Sequence, residues 1–597
     1  MVATFYRGGK HRFFERTMSV PPPDTRNVNS LWAGVLIETL ARCGVRFAVV
    51  SPGSRSAPLA LAVAAHPSIE AVPVLDERSA AFFALGLAKQ HGRPVVLICT
   101  SGTAAANLFP AVIEAHESGV PLLVLTADRP PELRACASGQ TIDQLKLFGG
   151  YVNFFHEIAT PELGESRLKY LRQTVAHAIG RTLAPATGPV HLNVPFRDPL
   201  APVGDGGATA QFTATINWDI FYAHLVPTEP APPAGLLPRI APDVHGVIVV
   251  GPAQPGDIGA FVTGVGEIAR RLGWPVLADG LSPLRHNASQ VPHLVTTCDL
   301  VLRHAVAAER LKPEVVLCVG DWPTSKVLRW WIEESEALIW MVTERADNRD
   351  AMHGRTRQIA LPLTVLAAGL PPAVDENGYQ RMWARYEQKI RPVLDERLQA
   401  EETLFEPKAA WLLARHLPEE TALFFANSMP VRDAEYVTPP GNRAIRPLCN
   451  RGANGIDGTL STAVGAAHQS GRPAVLLTGD LALLHDTNGF LLRAKFHGSL
   501  TIVLINNRGG GIFEHLPVAA FDPPFEEFFA TPQEVDFGKL CAAYSVAHVM
   551  VRDWAHFTEL ISTLPATGMR VLEVATDRKR DAAMRKKWFA EIAAMLG

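Results

Sequence analysis

The chain has 597 residues, of which 47% are hydrophobic and 19% are charged, and its formal net charge is −3. This length predicts several domains, because single hydrophobic cores stop growing near ~250–300 residues. Without a basic excess, the sequence gives no support to a nucleic-acid partner bound through counterion release.

Neither a membrane span nor a secretory leader is predicted. The longest uncharged run, 94–113, contains Thr-Ser-Gly-Thr, Asn107 and Pro110, which favour a strand, a loop and a helix start. The first 17 residues are basic but include Glu15 and no long apolar core, so residues 1–27 are predicted to be an N-terminal extension, with Met18 as an alternative start. The seven cysteines lack C-x-x-C spacing, which favours thiols in a reducing, cytoplasmic compartment over a disulfide framework or a zinc site.

A first α/β block is predicted for residues 28–200. It starts with a helix capped by Asn29 or Ser30 and running to about Cys43. Apolar strands follow at 47–50, 72–75, 94–99, 121–126 and 190–194, each ending in a polar loop. Repeated strand–loop–helix units of this kind predict a doubly wound parallel sheet with function at the carboxyl ends of its strands.

Two further α/β blocks follow. Residues 201–372 are predicted to hold a linker, rich in Pro, Gly, Ala and Thr up to about 240, and then a central domain. Gly264-Val-Gly266 is too incomplete to be a dinucleotide fingerprint. Residues 373–597, which open with an amphipathic helix at about 380–398, are predicted to form the third domain. The fold class is therefore α/β, with three doubly wound parallel-sheet domains.

The third block carries the residues with the clearest chemistry. A buried strand at 473–477 ends at Gly479-Asp480, a helix-like segment covers 481–495, and a second buried strand at 500–505 ends at Asn506-Asn507. This topology places Asp480 and Asn507 side by side, although they are 27 positions apart. A carboxylate, an amide oxygen and a glycine-rich backbone suit Mg²⁺ or Ca²⁺ completed by a diphosphate. Many α/β proteins carry such residues without binding metal, so the spacing alone leaves both interpretations open.

The complete set of motifs resembles the thiamine-diphosphate-dependent enzymes. Gly479-Asp480 followed by Asn506-Asn507 is similar to their diphosphate motif, with Leu481 where glycine is usual, and Glu77 follows the second strand as in their pyrimidine-binding half. Six segments together resemble the branch of this superfamily that serves menaquinone and phylloquinone biosynthesis: 51–58, 76–78, 100–107, 125–133, 450–458 and 506–513.

The resemblance implies the cofactor contacts. Asp480, the Asn507 side chain and the Gly509 carbonyl would hold Mg²⁺, or Mn²⁺ in its place, against thiamine diphosphate. Glu77 would hydrogen-bond the aminopyrimidine and favour the imino tautomer that prepares the cofactor for reaction. The remaining cofactor contacts would come from Gly479, Ile456 as an apolar wedge, and Phe513.

The resemblance also implies the substrates. Members of that branch decarboxylate 2-oxoglutarate and add the succinyl unit to isochorismate, and together these substrates carry four carboxylates. Arginine forks match carboxylates. The implied substrate residues are Ser54, Arg55, Gln140, Lys326, Ser428, Arg432, Arg451 and, in the apolar wall, Leu516. The branch often shows Lys-Arg in its middle domain, whereas this chain has Lys326-Val327 with Arg329 nearby.

The superfamily also implies a homodimer or homotetramer with active sites at the subunit interface. Three alternatives remain at this stage. Another thiamine-diphosphate 2-oxo-acid decarboxylase or an acetohydroxyacid synthase-like enzyme would keep Glu77, Asp480 and Asn507 but not the arginines. A non-catalytic scaffold is disfavoured by the intact Glu77 and metal motif. A nicotinamide dehydrogenase would need a G-x-G-x-x-G after a strand, which is missing.

Overall fold

The protein contains three six-stranded sheets in which every paired strand is parallel. The computed structural model describes residues 23–223, 225, 244–343, 348–349, 351, 356–372 and 378–596. The first sheet belongs to one compact unit and the other two sheets to a second. Three parallel-stranded sheets with intervening helices confirm the predicted fold class. Residues 1–22 of the predicted extension and 226–243 of the predicted linker lie outside the described residues.

The N-terminal unit has strand order β2-β1-β3-β4-β6-β5. Its strands are β1 (Phe47–Val50), β2 (Glu70–Pro73), β3 (Val95–Cys99), β4 (Leu122–Asp128), β5 (Phe155–Glu157) and β6 (Val190–Pro195). Its helices are α1 (Val28–Arg42), α2 (Ala57–Ala64), α3 (Glu77–His91), α4 (Thr103–Asn107), α5 (Phe109–Ser118), α6 (Glu165–Leu183), α7 (Ala208–Thr213) and α8 (Trp218–Ala223). The strands β3 and β4 are buried along their whole length, as their uninterrupted apolar sequences require.

The middle sheet has the order β12-β11-β10-β7-β8-β9, which read from the other edge is a dinucleotide-fold order. Its strands are β7 (Gly246–Val250), β8 (Val276–Ala278), β9 (Leu294–Val295), β10 (Val315–Val319), β11 (Leu338–Val342) and β12 (Thr356–Ile359). Its helices are α9 (Ile258–Leu272), α10 (Cys298–Leu302), α11 (Ala305–Arg310), α12 (Lys326–Glu334) and α13 (Leu363–Gly369).

The third sheet repeats the topology of the first, with order β14-β13-β15-β16-β18-β17. Its strands are β13 (Ala422–Phe425), β14 (Arg446–Cys449), β15 (Ala474–Gly479), β16 (Ser499–Asn506), β17 (Ala547–Met550) and β18 (Gly568–Ala575). Its helices are α14 (Gly378–Ala400), α15 (Glu406–His416), α16 (Met429–Val437), α17 (Thr459–Ala467), α18 (Asp480–His485), α19 (Phe537–Ala543), α20 (Trp554–Ser562) and α21 (Arg578–Ala594).

The first and third sheets each have a switch point in their strand order, between β1 and β3 and between β13 and β15. Ligands in open parallel sheets bind beyond the carboxyl ends of the strands at such a switch point. The loop after β1 approaches the loop after β3 so closely that a Cβ on Gly53 would lie 2.2 Å from the Thr100 Cβ. The polar segments predicted from sequence therefore meet at the expected edges.

Some predicted boundaries are wrong. The cap of α1 is Asn27, whose Oδ1 accepts the Ser30 N–H at 2.9 Å, and not Asn29 or Ser30. Asn29 instead donates to the Arg197 carbonyl at 2.7 Å. The strand predicted at 72–75 lies two residues earlier in β2, and the predicted linker contains the helices α7 and α8. The short strands β5, β9, β12, β14 and β17 have too few residues for a readable alternation.

The buried His286 makes the stability of the second unit depend on pH. It is 1% exposed, and burial, with the Arg285 charge, lowers its pKa to about 3. An unfolded histidine takes a proton near pH 6.5, so stability is lost as pH falls from 6.5 toward 3. Relative to His286→Leu, the wild type should lose about 2 kcal/mol of unfolding free energy between pH 7 and pH 5. Urea denaturation of both proteins at both pH values measures this, and equal losses would contradict it.

Candidate active site

A cavity of about 280 Å³ opens at the switch point of the third sheet. The strands β13, β15 and β16 end at it, and their neighbouring register brings the following loops together. Asn427 and Ser428 follow β13, Asp480 follows β15, and Asn507 follows β16. Pairing of β15 with β16 confirms the strand–helix–strand arrangement predicted from sequence.

Asp480 is an acidic residue of the cavity lining and is 5% exposed. Its Oδ1 accepts the Leu481 N–H and its Oδ2 accepts the Gly509 N–H, both at 2.8 Å. Burial, together with the charge of Glu406, raises its pKa to about 6 in spite of these hydrogen bonds. The carboxylate is therefore ionised at neutral pH in a place where a cation would stabilise it.

Asn507 presents the matching amide oxygen. Its Nδ2 donates to Glu406 Oε1 at 2.5 Å, whereas its buried Oδ1 has no hydrogen-bond partner. Gly509 has φ +131°, and a Cβ there would lie 2.3 Å from the Ala530 carbonyl oxygen, so the position requires glycine. The Gly509 carbonyl accepts the Gly511 N–H at 2.9 Å, which leaves it a second lone pair.

These groups fit a hard divalent cation. An unpaired buried amide oxygen is costly unless it has a ligand. Magnesium takes few protein ligands and is completed by water and phosphate oxygens. In the described part of the chain, no group of three or more His, Cys, Asp or Glu residues could hold a metal ion.

A cluster of three arginines lies beside the cavity. Arg432 and Arg451 line it, and the charge of Arg329, from α12, acts on both. Burial and the mutual charges lower the pKa values of Arg329 and Arg432. Arg432 donates to the Ser428 carbonyl and Arg451 to Asn427 Oδ1 at 3.0 Å, yet none of the three has an ion pair with a described carboxylate. The charges of Asp279 and Asp433 act on Arg329 and Arg432 without a direct ion pair, so the guanidinium groups can still bind a polyanion.

The other predicted residues of this unit fall into two groups. Gly479, Ile456, Phe513 and Ser428 line the cavity. Ser428 has φ +78°, a strained value for a residue other than glycine. Lys326 and Leu516 are exposed and lie outside the described lining of this cavity, so their assignment remains a prediction.

Glu77 lies at the first turn of α3, directly after the loop from β2, and is half-buried. The helix cap is its neighbour Asp76, whose carboxylate accepts the backbone N–H groups of Arg78 at 2.8 Å and Ser79 at 3.2 Å. Glu77 has no capping contact of its own, and its charge acts on buried Cys99 at the end of β3. Its carboxylate thus lies at the carboxyl ends of the strands of the first sheet, where ligands bind in folds of this kind.

The remaining predicted residues of the N-terminal unit gather at the same edge. Arg55 is 8% exposed and donates to the Phe196 carbonyl at 2.9 Å, and its buried Nε has no partner. The Gln140 side-chain amide donates to the Ser101 carbonyl at 3.0 Å, and the Gln140 backbone carbonyl accepts from Arg129 at 2.7 Å. Ser54, in the loop after β1, is exposed. Arg129 acts electrostatically on Arg55, so two cations meet here.

Sequence reasoning did not give roles to Arg129, Arg329 and Glu406. Arg129 stands inside a quoted motif and could have been found as the charged residue after β4. Arg329 gave a weaker signal, one helical turn after Lys326. Glu406 gave none, because its contact with Asn507 spans 101 positions.

Comparison with known proteins gives the class first. Family models of the thiamine pyrophosphate enzymes match all three sheets: the N-terminal TPP binding domain at residues 32–147, the middle domain at 242–425 and the C-terminal TPP binding domain at 440–574. Among solved structures, benzoylformate decarboxylase from Polynucleobacter necessarius is similar, with a TM-score of 0.67 over 92% of this chain and 98% of that chain at 17% identity, a likeness of fold. The fold and the models define a thiamine-diphosphate-dependent enzyme.

Curated relatives give the family more narrowly. A 2-succinyl-5-enolpyruvyl-6-hydroxy-3-cyclohexene-1-carboxylate synthase from Microcystis aeruginosa is 51% identical over 95% of this chain and 99% of its own length. One from Trichormus variabilis is 52% identical over 95% of this chain and 98% of its own length. The chain belongs to the family of these synthases. No described helix is long and apolar enough to cross a membrane.

Proposed function

We propose that this enzyme decarboxylates 2-oxoglutarate and adds the resulting succinyl unit to isochorismate, giving 2-succinyl-5-enolpyruvyl-6-hydroxy-3-cyclohexene-1-carboxylate for menaquinone or phylloquinone synthesis. The name of the related synthases describes this product. The observation that carries the proposal is the cluster of Arg329, Arg432 and Arg451, which has no carboxylate partner among the described residues. Four substrate carboxylates would supply the missing counter-charges.

The chain's own residues have distinct tasks in this proposal. Asp480, Asn507 and the Gly509 carbonyl hold Mg²⁺, or Mn²⁺, beside the cofactor diphosphate. When bound, thiamine diphosphate supplies the carbanion chemistry that releases CO₂ and transfers the succinyl unit. Glu77 holds a proton at the aminopyrimidine, Ile456 and Phe513 shape the apolar side of the cavity, and Leu516 extends that wall.

Arginines and polar donors orient the substrates. Arg432 and Arg451 bind carboxylates at the cavity, and Arg329 takes the place left by Val327 in the middle domain. Arg55, Ser54 and Gln140 offer donors at the edge of the first sheet, and Ser428 and Lys326 offer further ones. Bidentate contacts would fix the substrate carboxylates and so the approach of the two reacting carbons.

We also propose a homodimer or homotetramer, with domain limits at 28–200, 201–372 and 373–597, in which the pyrimidine half of one subunit serves the diphosphate half of another. Leu75, two residues before Glu77, is 69% exposed, and Phe528, near the cavity loop, is 70% exposed. The proposed subunit contact would cover these two apolar side chains. Light scattering should give a multiple of the chain mass.

A cytoplasmic location is supported by seven cysteines, all free.

Incubation with thiamine diphosphate, Mg²⁺, 2-oxoglutarate and isochorismate tests the proposal. Isochorismate absorbance should fall, CO₂ should be released, and mass spectrometry should show the succinylated product. A folded oligomer that releases CO₂ from 2-oxoglutarate without consuming isochorismate would favour another 2-oxo-acid decarboxylase. Full activity in a monomer would contradict the shared site.

A further inference from the structure

We propose that Glu406 is a positioning residue that fixes the Asn507 amide with its oxygen toward the metal site, and that Arg585 of α21 holds Glu406 in place. The identity of the metal is taken from the proposed function.

The contact between Glu406 and Asn507 determines which way the amide faces. A carboxylate can only accept hydrogen bonds, so the side of Asn507 that meets Glu406 Oε1 at 2.5 Å must be the NH₂ group. The amide oxygen is then turned to the other side, where it is buried without a partner. Glu406 itself lines the cavity and is 3% exposed, so water does not compete for this contact.

Arg585 supports Glu406 from behind. Its Nη2 lies 3.3 Å from Glu406 Oε2 and 2.7 Å from Asp433 Oδ1, and its Nη1 lies 3.0 Å from His515 Nε2. The Glu406 backbone N–H donates to Asp581 of the same helix, α21, at 3.1 Å. Arg585 is 3% exposed. The guanidinium can only donate, so it requires an acceptor at position 406.

A glutamine at position 406 would therefore face a conflict. Its carbonyl would turn to Arg585, which leaves its NH₂ facing Asn507. The amide of Asn507 would reverse to accept that hydrogen bond, and its own NH₂ would point at the metal site. Glu406→Gln thus removes a metal ligand without touching it. Combining Glu406→Gln with Asn507→Asp restores an oxygen, because the new carboxylate accepts from the new amide and offers its second oxygen to the metal.

A matched control lies next to this pair. Glu573 on β18 is 5% exposed and accepts from Asn506 Nδ2 at 2.7 Å, which repeats the Glu–Asn contact one residue earlier. Asn506 and Glu573 lie outside the described lining of the cavity. Glu573→Gln makes the same chemical change in a buried pair of the same unit.

Calorimetric titration of Mg²⁺ into full-length protein saturated with thiamine diphosphate tests the inference. Glu406→Gln should weaken Mg²⁺ affinity by roughly 10- to 100-fold, the range for an outer ligand contact. Glu573→Gln should bind like the wild type, and the Glu406→Gln/Asn507→Asp pair should return close to it. Equal affinities for Glu406→Gln and Glu573→Gln, or no recovery in the folded double variant, would overturn the proposal.

Should Glu406→Gln alone fail to fold, the comparison of Asn507→Asp with the folded double variant decides. Asn507→Asp places two carboxylates together, so it should bind Mg²⁺ poorly and improve when Glu406→Gln is added. No improvement would refute the inference. Mg²⁺ affinity is measured without either substrate, so a protein that does not consume isochorismate can still show the effect of Glu406 on Mg²⁺ binding. Conversely, equal Mg²⁺ affinities of the two glutamine variants would not contradict the proposed reaction with isochorismate.

Discussion

Asp480→Asn should reduce Mg²⁺-supported binding of thiamine diphosphate by at least ~100-fold, beyond the 10- to 100-fold typical of outer-shell changes. The wild-type carboxylate lines the cavity and is ionised at pH 7, since its pKa is about 6. Asparagine removes the charge and offers a single oxygen. Its NH₂ would also face either the Leu481 or the Gly509 N–H, which now donate to the two carboxylate oxygens.

Calorimetric titration at pH 7 with Mg²⁺ and thiamine diphosphate measures this effect. Asp553→Asn is the control, because Asp553 caps α20 in the same unit and asparagine caps nearly as well. A circular dichroism melt shows whether both variants are folded. Unchanged cofactor binding in a folded Asp480→Asn protein would remove Asp480 from the metal site.

The sequence predicted the fold wherever long, uniformly apolar strands end in polar loops. The strands β3, β4, β15 and β16 are buried along nearly their whole length, and their carboxyl ends lie where the pattern indicated. Edge strands were not predicted because their partial burial leaves no continuous apolar run: β5 has three residues, none fully buried. The prediction of the α1 cap was wrong because Asn27, Asn29 and Ser30 are all residue types that cap helices. Only the tertiary structure shows that Asn27 accepts the Ser30 N–H while Asn29 donates to the Arg197 carbonyl.

The candidate site was predictable to the extent that its residues stand in motifs. Asp480 and Asn507 follow two adjacent strands, so the predicted topology brought them together, whereas the Gly509 carbonyl was predicted from the family resemblance. The contact of Glu406 with Asn507 joins α15 to the end of β16, and no local pattern marks it. The role of Arg329 depends on the orientation of α12 toward Arg451. The replacement of the family's arginine by Val327 does not predict that orientation.

The order of pairing in the third sheet explains why these long-range contacts converge. The strands β13, β15 and β16 are neighbours, while α15 precedes β13 and α21 follows β18. Glu406 and Arg585 come from these two helices at opposite ends of the domain sequence. The proposed metal site thus depends on elements that must all be folded before Asn507 is oriented.

Glu77→Gln should lower the rate of CO₂ release from 2-oxoglutarate by about 10²- to 10⁴-fold, the range for losing a positioned acid–base group. Glutamine retains the size of the side chain but cannot hold and return a proton at the aminopyrimidine. The helix should remain intact, because Asp76 supplies the cap of α3 through Arg78 and Ser79. Loss of the negative charge from the first turn should cost only about 0.3–1 kcal/mol.

The matched control for this prediction is Asp76→Asn, which removes the adjacent charge while asparagine preserves the cap. It should keep most of the activity, so the comparison separates the proton-holding role of Glu77 from the general negative field at the start of α3. Both variants should still bind thiamine diphosphate with Mg²⁺, because the proposed metal ligands at the diphosphate are Asp480, Asn507 and the Gly509 carbonyl. If Glu77→Gln releases CO₂ as fast as Asp76→Asn, Glu77 has no proton role, and the acid–base group must be sought elsewhere at the edge of the first sheet.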